Sequence, residues 1–139
     1  INTNNFNSVQ QEVCWSADKN ASNSLENIYD NYRDNKLLFN LGSNLKSGKL
    51  FVIGNVGPFF ASENDGADII LNGECGFRSL YTMKSGNVTI NGTAGYDLAN
   101  YANGGMITVN GIIKSIGSHY TPAFKHTIIH NGIELEKKF

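Results

Sequence analysis

The chain has 139 residues, 40% hydrophobic and 17% charged, with a formal net charge of -1. That length and composition suit one domain with a packed core. The near-neutral balance offers no field for nucleic acid or an acidic membrane, and no apolar run approaches the roughly 18 residues that span a bilayer.

In chain order, residues 1–22 are polar and Asn-rich, with Ile1, Phe6, Val9, Val13 and Trp15 as an apolar minority. Leu25, Ile28, Tyr29 and Tyr32 then fall at helical spacing. Asn23 followed by Glu26 makes a capping-box variant. Residues 1–36 therefore read as an N-terminal segment with a short capping helix. Residues 37–139 read as the main body, with Leu37 to Leu45 as an irregular first coil.

From Gly48 onward the sequence repeats itself. Gly54, Gly73, Gly92 and Gly111 are each 19 residues apart, and Gly57, Gly76 and Gly95 follow three of them three positions on. Lys114 breaks the second series. Gly48, Ala67, Gly86 and Gly105 form a column of tiny residues. Three columns are apolar: Leu50, Ile69, Val88 and Ile107; Val52, Leu71, Ile90 and Val109; and Val56, Cys75, Ala94 and Ile113. Phe51, Ile70, Thr89 and Thr108 lie between the first two. The unit is a period-2 strand, apolar face inward, that ends in a glycine corner. After Ile113 the spacing slips. Ile128, His130 and Gly132 look like the same unit shifted by two, which places an insertion between Lys114 and Thr127. The charged tail from Glu134 to Phe139 is positioned to protect the last coil.

Three architectures compete for this pattern. Asn72-Gly73, Asn91-Gly92, Asn110-Gly111 and Asn131-Gly132 are strong hairpin dipeptides and suggest an antiparallel meander. The residues after each corner are too glycine-rich for a second strand, however. A leucine-rich repeat lacks its leucine consensus. A single-stranded right-handed parallel β-helix, all-β with 19-residue coils and a short N-terminal helical cap, explains the most. Equivalent residues then stack about 4.8 Å apart. Asn72, Asn91 and Asn110 become an asparagine ladder. Gly54, Gly57, Gly73, Gly76, Gly92, Gly95 and Gly111 become structural corner glycines.

The runs Gly-Asn-Val-Gly at 54–57, Gly-Glu-Cys-Gly at 73–76 and Gly-Thr-Ala-Gly at 92–95 resemble the glycine-repeat (GXGXG) domain. That family comprises the C-terminal region of the glutamate synthase large subunit and one of the subunits of formylmethanofuran dehydrogenase. Met83-Lys84-Ser85-Gly86, the strand run 104–111 and the opening segment Ile1 to Val9 fit the same pattern, so the resemblance covers most of the chain. Pro58-Phe59-Phe60-Ala61-Ser62 and Lys114 depart from it. The resemblance implies a non-catalytic structural subunit or domain of a glutamate-synthase-like oxidoreductase complex. Its partners would be a glutamine amidotransferase and a flavin/iron–sulfur synthase domain, and its setting glutamate biosynthesis in the cytoplasm. The alternative it implies is an interaction subunit of another oxidoreductase, such as formylmethanofuran dehydrogenase.

The chemistry-bearing residues fit a scaffold. No catalytic, cofactor-binding or metal site is expected. His119, His126 and His130 lie in the irregular last part, with no carboxylate or cysteine placed to complete a metal set. Asp65, Asp68 and Asp97 do not share a column. No Gly-x-Ser-x-Gly elbow exists. Cys14 and Cys75 form no zinc or redox pair, which reads as two reduced thiols in a cytoplasmic protein. Cys75 falls in an inward column and reads as a packed thiol. Phe59, Phe60, Tyr81, Tyr101 and Tyr120 lie on the long loops beside the column of Pro58, Phe77 and Tyr96. They stabilise as a ring ladder or form a docking surface. Homo-oligomerisation is compatible with this reading.

Overall fold

The computed structural model describes residues 10–14 and 38–138. The expected capping helix around Leu25 to Tyr32 lies outside the described residues. Among the described residues, seven strands form one sheet in sequence order: β1 Gln10–Cys14, β2 Lys49–Ile53, β3 Asp65–Asn72, β4 Ser85–Asn91, β5 Met106–Val109, β6 Thr127–His130 and β7 Ile133–Glu134. The pairings from β1 to β6 are parallel, and among the described strands only β6 with β7 is antiparallel. Parallel neighbours in strict sequence order, one strand per repeat, make a β-solenoid of about four turns with coils of about 19 residues.

The register follows the repeat. Leu50 pairs with Ile69, Ile69 with Val88, and Val88 with Ile107. All four are at most 1% exposed, as are Val52, Leu71, Ile90 and Val109. Each inward column is thus a stack of β-branched and leucine side chains, whose burial drives the fold. A third stack, Val56, Cys75 and Ala94, closes the core around the corner, with parallel bridges from Cys75 to Ala94 and from Ala94 to Ile113.

The corner glycines are required by close approach. Gly73, Gly92 and Gly111 have φ of 157°, 155° and 156°. A Cβ at these positions would sit 2.0–2.2 Å from the carbonyl oxygen of the glycine one coil earlier. No side chain fits there. Beside them, the amide of Asn91 donates to Asn72 Oδ1 and that of Asn110 to Asn91 Oδ1, both at 2.8 Å.

A third wall, 38–45 and its equivalents, carries a backbone pattern that the sequence did not suggest. Asn40, Phe59, Arg78 and Asp97 form one column, Gly42, Ala61, Leu80 and Ala99 a second, and Asn44, Glu63, Thr82 and Tyr101 a third. All twelve have φ between 54° and 75°. Left-handed conformation at alternate positions costs about 1–2 kcal/mol for each non-glycine residue. The offset is a ladder of backbone hydrogen bonds that runs both ways. Phe59 donates forward to Phe77 O (2.9 Å), Ala61 backward to Leu41 O (2.8 Å) and Glu63 forward to Tyr81 O (2.7 Å), and Arg78, Leu80 and Thr82 repeat this scheme one coil on.

The sheet also begins earlier than the expected boundary at residue 37. Val13 lies beside Val52 in register, so Gln10–Cys14 is the strand of the first coil. The chain then takes 23 residues (15–37) to reach Leu38, where the next coil takes three (54–56) between Ile53 and Gly57. That longer spacing hides the first repeat from a search at fixed period.

One bulge interrupts the register, between Asp65 and Asp68. Buried Asn64 holds it: Nδ2 donates to Ala67 O (2.9 Å) and Ser85 O (3.1 Å), and Oδ1 accepts from Ala67 N (3.3 Å).

The last coil carries the two-residue insertion expected between Lys114 and Thr127, since Ile107 pairs with Ile128. The expected corner at Gly132 is instead a hairpin turn. Asn131 and Gly132 both have positive φ, 48° and 83°, and join β6 to β7. This is the geometry that Asn-Gly favours when no further coil follows. A Cβ on Gly132 would meet nothing within 4 Å. The tail then crosses the last coil, with Leu135 N bonded to Ile128 O (2.9 Å) and Lys138 N to Tyr120 O (3.1 Å). It shields the sheet edge that a solenoid would otherwise expose.

Candidate functional site

The third wall sends some of its large side chains into the core and others outward. Phe60, Leu80 and Leu98 point into the core and are 0% exposed. Phe59, Tyr81 and Tyr101, on successive coils, lie on the outer side. The rings meet edge to face: Phe39 to Phe59 at 6.3 Å, Phe59 to Tyr81 at 5.8 Å and Tyr81 to Tyr101 at 6.2 Å. Tyr101 stacks on His119 at 3.9 Å, and His119 leans on Phe124 at 5.3 Å. A continuous aromatic row therefore runs along the solenoid axis, with Phe77 attached at Phe59. Edge-to-face pairs each add about 0.5–1.5 kcal/mol beyond their area.

A polar chain runs beside the row. Arg78 Nε bonds Asp97 Oδ2 at 2.7 Å, and its guanidinium sits 4.9 Å from the Phe77 ring and 5.8 Å from Tyr81. Asn100 Nδ2 donates to the same Asp97 oxygen (3.1 Å), and Asn100 Oδ1 faces His119 Nδ1 at 3.1 Å. Ser118 Oγ is also 3.1 Å from His119 Nδ1. This is not a nucleophile relay. Hydroxyl and amide share one ring nitrogen, so no second nitrogen links a serine to an acid. The arrangement orders the wall. Being partly exposed, the Arg78–Asp97 pair adds little stability.

The expected loop aromatics divide. Phe60 is fully buried and Tyr120 is 6% exposed, so both belong to the core. Phe77, Tyr96 and Tyr101 are 46%, 59% and 49% exposed. The histidines also part company. His119 joins the aromatic row, His126 is wholly buried, and His130 Nε2 lies 2.7 Å from Gly111 O. No group of three or more metal-capable side chains occurs among the described residues. Burial raises the Cys75 thiol to about 11, the environment of an inert packed cysteine. Asp65 accepts from Ser85 Oγ (3.0 Å) and Asp68 from Asn87 Nδ2 (3.3 Å) on the outer sheet face. There a shallow hollow of about 410 Å³ is lined by Lys49, Phe51, Asp68, Ile70, Asn87 and Thr89. No described helix is long and apolar enough to cross a membrane.

Reading the sequence for chemistry missed Arg78, Asp97 as its partner, Asn100 and Phe39. The signal was present for two pairs, since Arg78 and Asp97, and Asn100 and His119, are each 19 residues apart. Comparison of the chain with family models, curated proteins and solved structures finds no match.

Proposed function

We propose that the chain is a non-catalytic scaffold, a domain or subunit of a larger assembly, and that its aromatic wall is the docking face. The observation that carries this reading is the row of rings from Phe39 to Phe124. Aromatic groups are enriched in interface cores, and a flat solenoid wall presents them without reorganisation. The core beneath is packed with aliphatic stacks rather than arranged around a cavity. The resemblance of the glycine corners to the glycine-repeat domain supports a glutamate-synthase-like parent. The partners would then be a glutamine amidotransferase and a flavin/iron–sulfur synthase unit, in the cytoplasm.

The test is affinity capture of the tagged chain from its native cells, with mass spectrometry and a flavin absorbance scan. An amidotransferase and a flavoprotein should co-elute, and a Tyr81→Ala/Tyr101→Ala variant that keeps its fold should lose them. Molybdenum or tungsten enzyme subunits in their place would move the parent to a formylmethanofuran-dehydrogenase-like complex. A colourless, solitary protein would reject the scaffold reading.

A further inference from the structure

We propose that residues 133–138 form an acid-released strap across the last coil, with His126 beneath it as the trigger. Beyond the pairing of its β7 segment with β6, the strap is held at three points. Leu135 N bonds Ile128 O, Lys138 N bonds Tyr120 O, and the Lys137 ammonium bonds Phe124 O while lying 5.3 Å from the Tyr120 ring. Tyr120 ties coil to strap a fourth time: its hydroxyl donates to Leu135 O (2.9 Å) and accepts from Ile128 N (3.0 Å). The hinge is the Asn131-Gly132 turn, where a Cβ added at the glycine would meet nothing within 4 Å.

His126 packs against Tyr120, the residue that ties coil to strap, and feels the charge of Lys137 on the strap. It is 0% exposed, packs against Tyr120 at 5.0 Å, and neither ring nitrogen has a hydrogen-bond partner. A neutral imidazole tolerates such a site at some cost, but a cation there has no acceptor. The charged group facing it from the strap is Lys137, of the same sign, and from the last coil it meets Tyr120. Glu134 and Glu136, the carboxylates of the strap, are exposed. Burial, then Lys137, lowers the His126 pKa from 6.5 to about 4. The sign follows. With the strap closed the ring stays neutral, and with the strap open it takes a proton at its ordinary value. The closed form is fully favoured above about pH 6.5 and loses ground as pH falls towards 4, where the opening equilibrium has moved by roughly 150-fold. The opened coil would present the unshielded edge of β6 and the apolar underside of Leu135.

Hydrogen exchange of the full chain between pH 7 and pH 4.5, corrected for intrinsic rates, tests this. The amides of Leu135 and Lys138 should lose protection at least tenfold while those of Val88 and Ile90 keep theirs. The loss should track the His126 Cε1 proton shift measured by NMR in the same buffer. His126→Leu should hold the strap closed at pH 4.5. If that variant does not fold, the wild-type coincidence of strap opening with His126 titration decides. Unchanged strap protection, simultaneous loss in β4, or opening that does not follow the His126 signal would each overturn the proposal.

Discussion

Asn131 closes on Gly111 rather than on its ladder neighbour: its Oδ1 accepts the Gly111 amide at 2.8 Å and its Nδ2 donates to the Gly111 carbonyl at 3.1 Å. The asparagine ladder thus ends by satisfying both backbone groups of the last true corner. The same dipeptide, Asn-Gly, does two different jobs one coil apart, and the presence or absence of a neighbouring coil decides which.

The two glycines should respond differently to alanine. In Gly111→Ala the new Cβ would meet Gly92 O at 2.0 Å, backbone against backbone. A loss of at least ~3 kcal/mol is expected. In Gly132→Ala the Cβ enters open space, and only the left-handed φ of 83° is penalised, by about 1–2 kcal/mol. Chemical denaturation of both variants checks this. Equal losses would mean that the corner contact is not what selects glycine.

Side-chain direction along β4 can be tested with one residue type. Ile90 is 0% exposed between Leu71 and Val109, so Ile90→Asp buries a carboxylate without a partner. A loss of more than about 4 kcal/mol, or failure to fold, is expected. Thr89→Asp faces outward and should change stability by about 0.5 kcal/mol. Comparable losses from the two would refute the inward and outward assignment.

Asn64 should be the least replaceable polar residue of the core. Asn64→Ala leaves Ala67 O and Ser85 O without their shared donor and Ala67 N without its acceptor. At about 1–3 kcal/mol for each buried group left unpaired, a total of at least about 3 kcal/mol is expected, read as a lower urea midpoint with unchanged slope. Asn64→Leu, with a matched volume but no polar atoms, should not rescue it, because the lost partners are backbone groups that stay in place.

Cys75 offers a probe of global opening. Burial raises its pKa, with Ser79 and Gly95 opposing slightly through hydrogen bonds. A thiol reagent at pH 8 should label it in native protein only at the rate of unfolding. The raised value also sets a sign. The contribution is fully present below pH 9 and is lost as pH rises from 9 towards 11, because the unfolded thiol ionises first. By pH 11 the loss should reach ~2 kcal/mol. Rapid native labelling at pH 8 would show that the column containing Val56, Cys75 and Ala94 is open.

The repeat determined the strand register, the inward columns and the glycine corners from sequence, because stacking of identical coils converts a 19-residue spacing directly into a contact. Leu71 above Val52 and Gly92 above Gly73 need no further information. The antiparallel rival failed at three of the four Asn-Gly pairs for the same reason. Other features had no local signature. The left-handed positions of Phe59, Leu80 and Thr82 contradict the intrinsic preference of those residue types, and only hydrogen bonds to the coils on either side make them tolerable. The first coil was hidden because 23 residues interrupt it, and the pairing of Val13 with Val52 exists only once the chain has closed that distance. The burial of Phe60 and Tyr120 beside outward-facing Phe59 and Tyr101 likewise depended on the wall and the strap. Periodicity fixes what is repeated in one dimension. The walls, the ends and the faces left open are decided by which coil lies next to which.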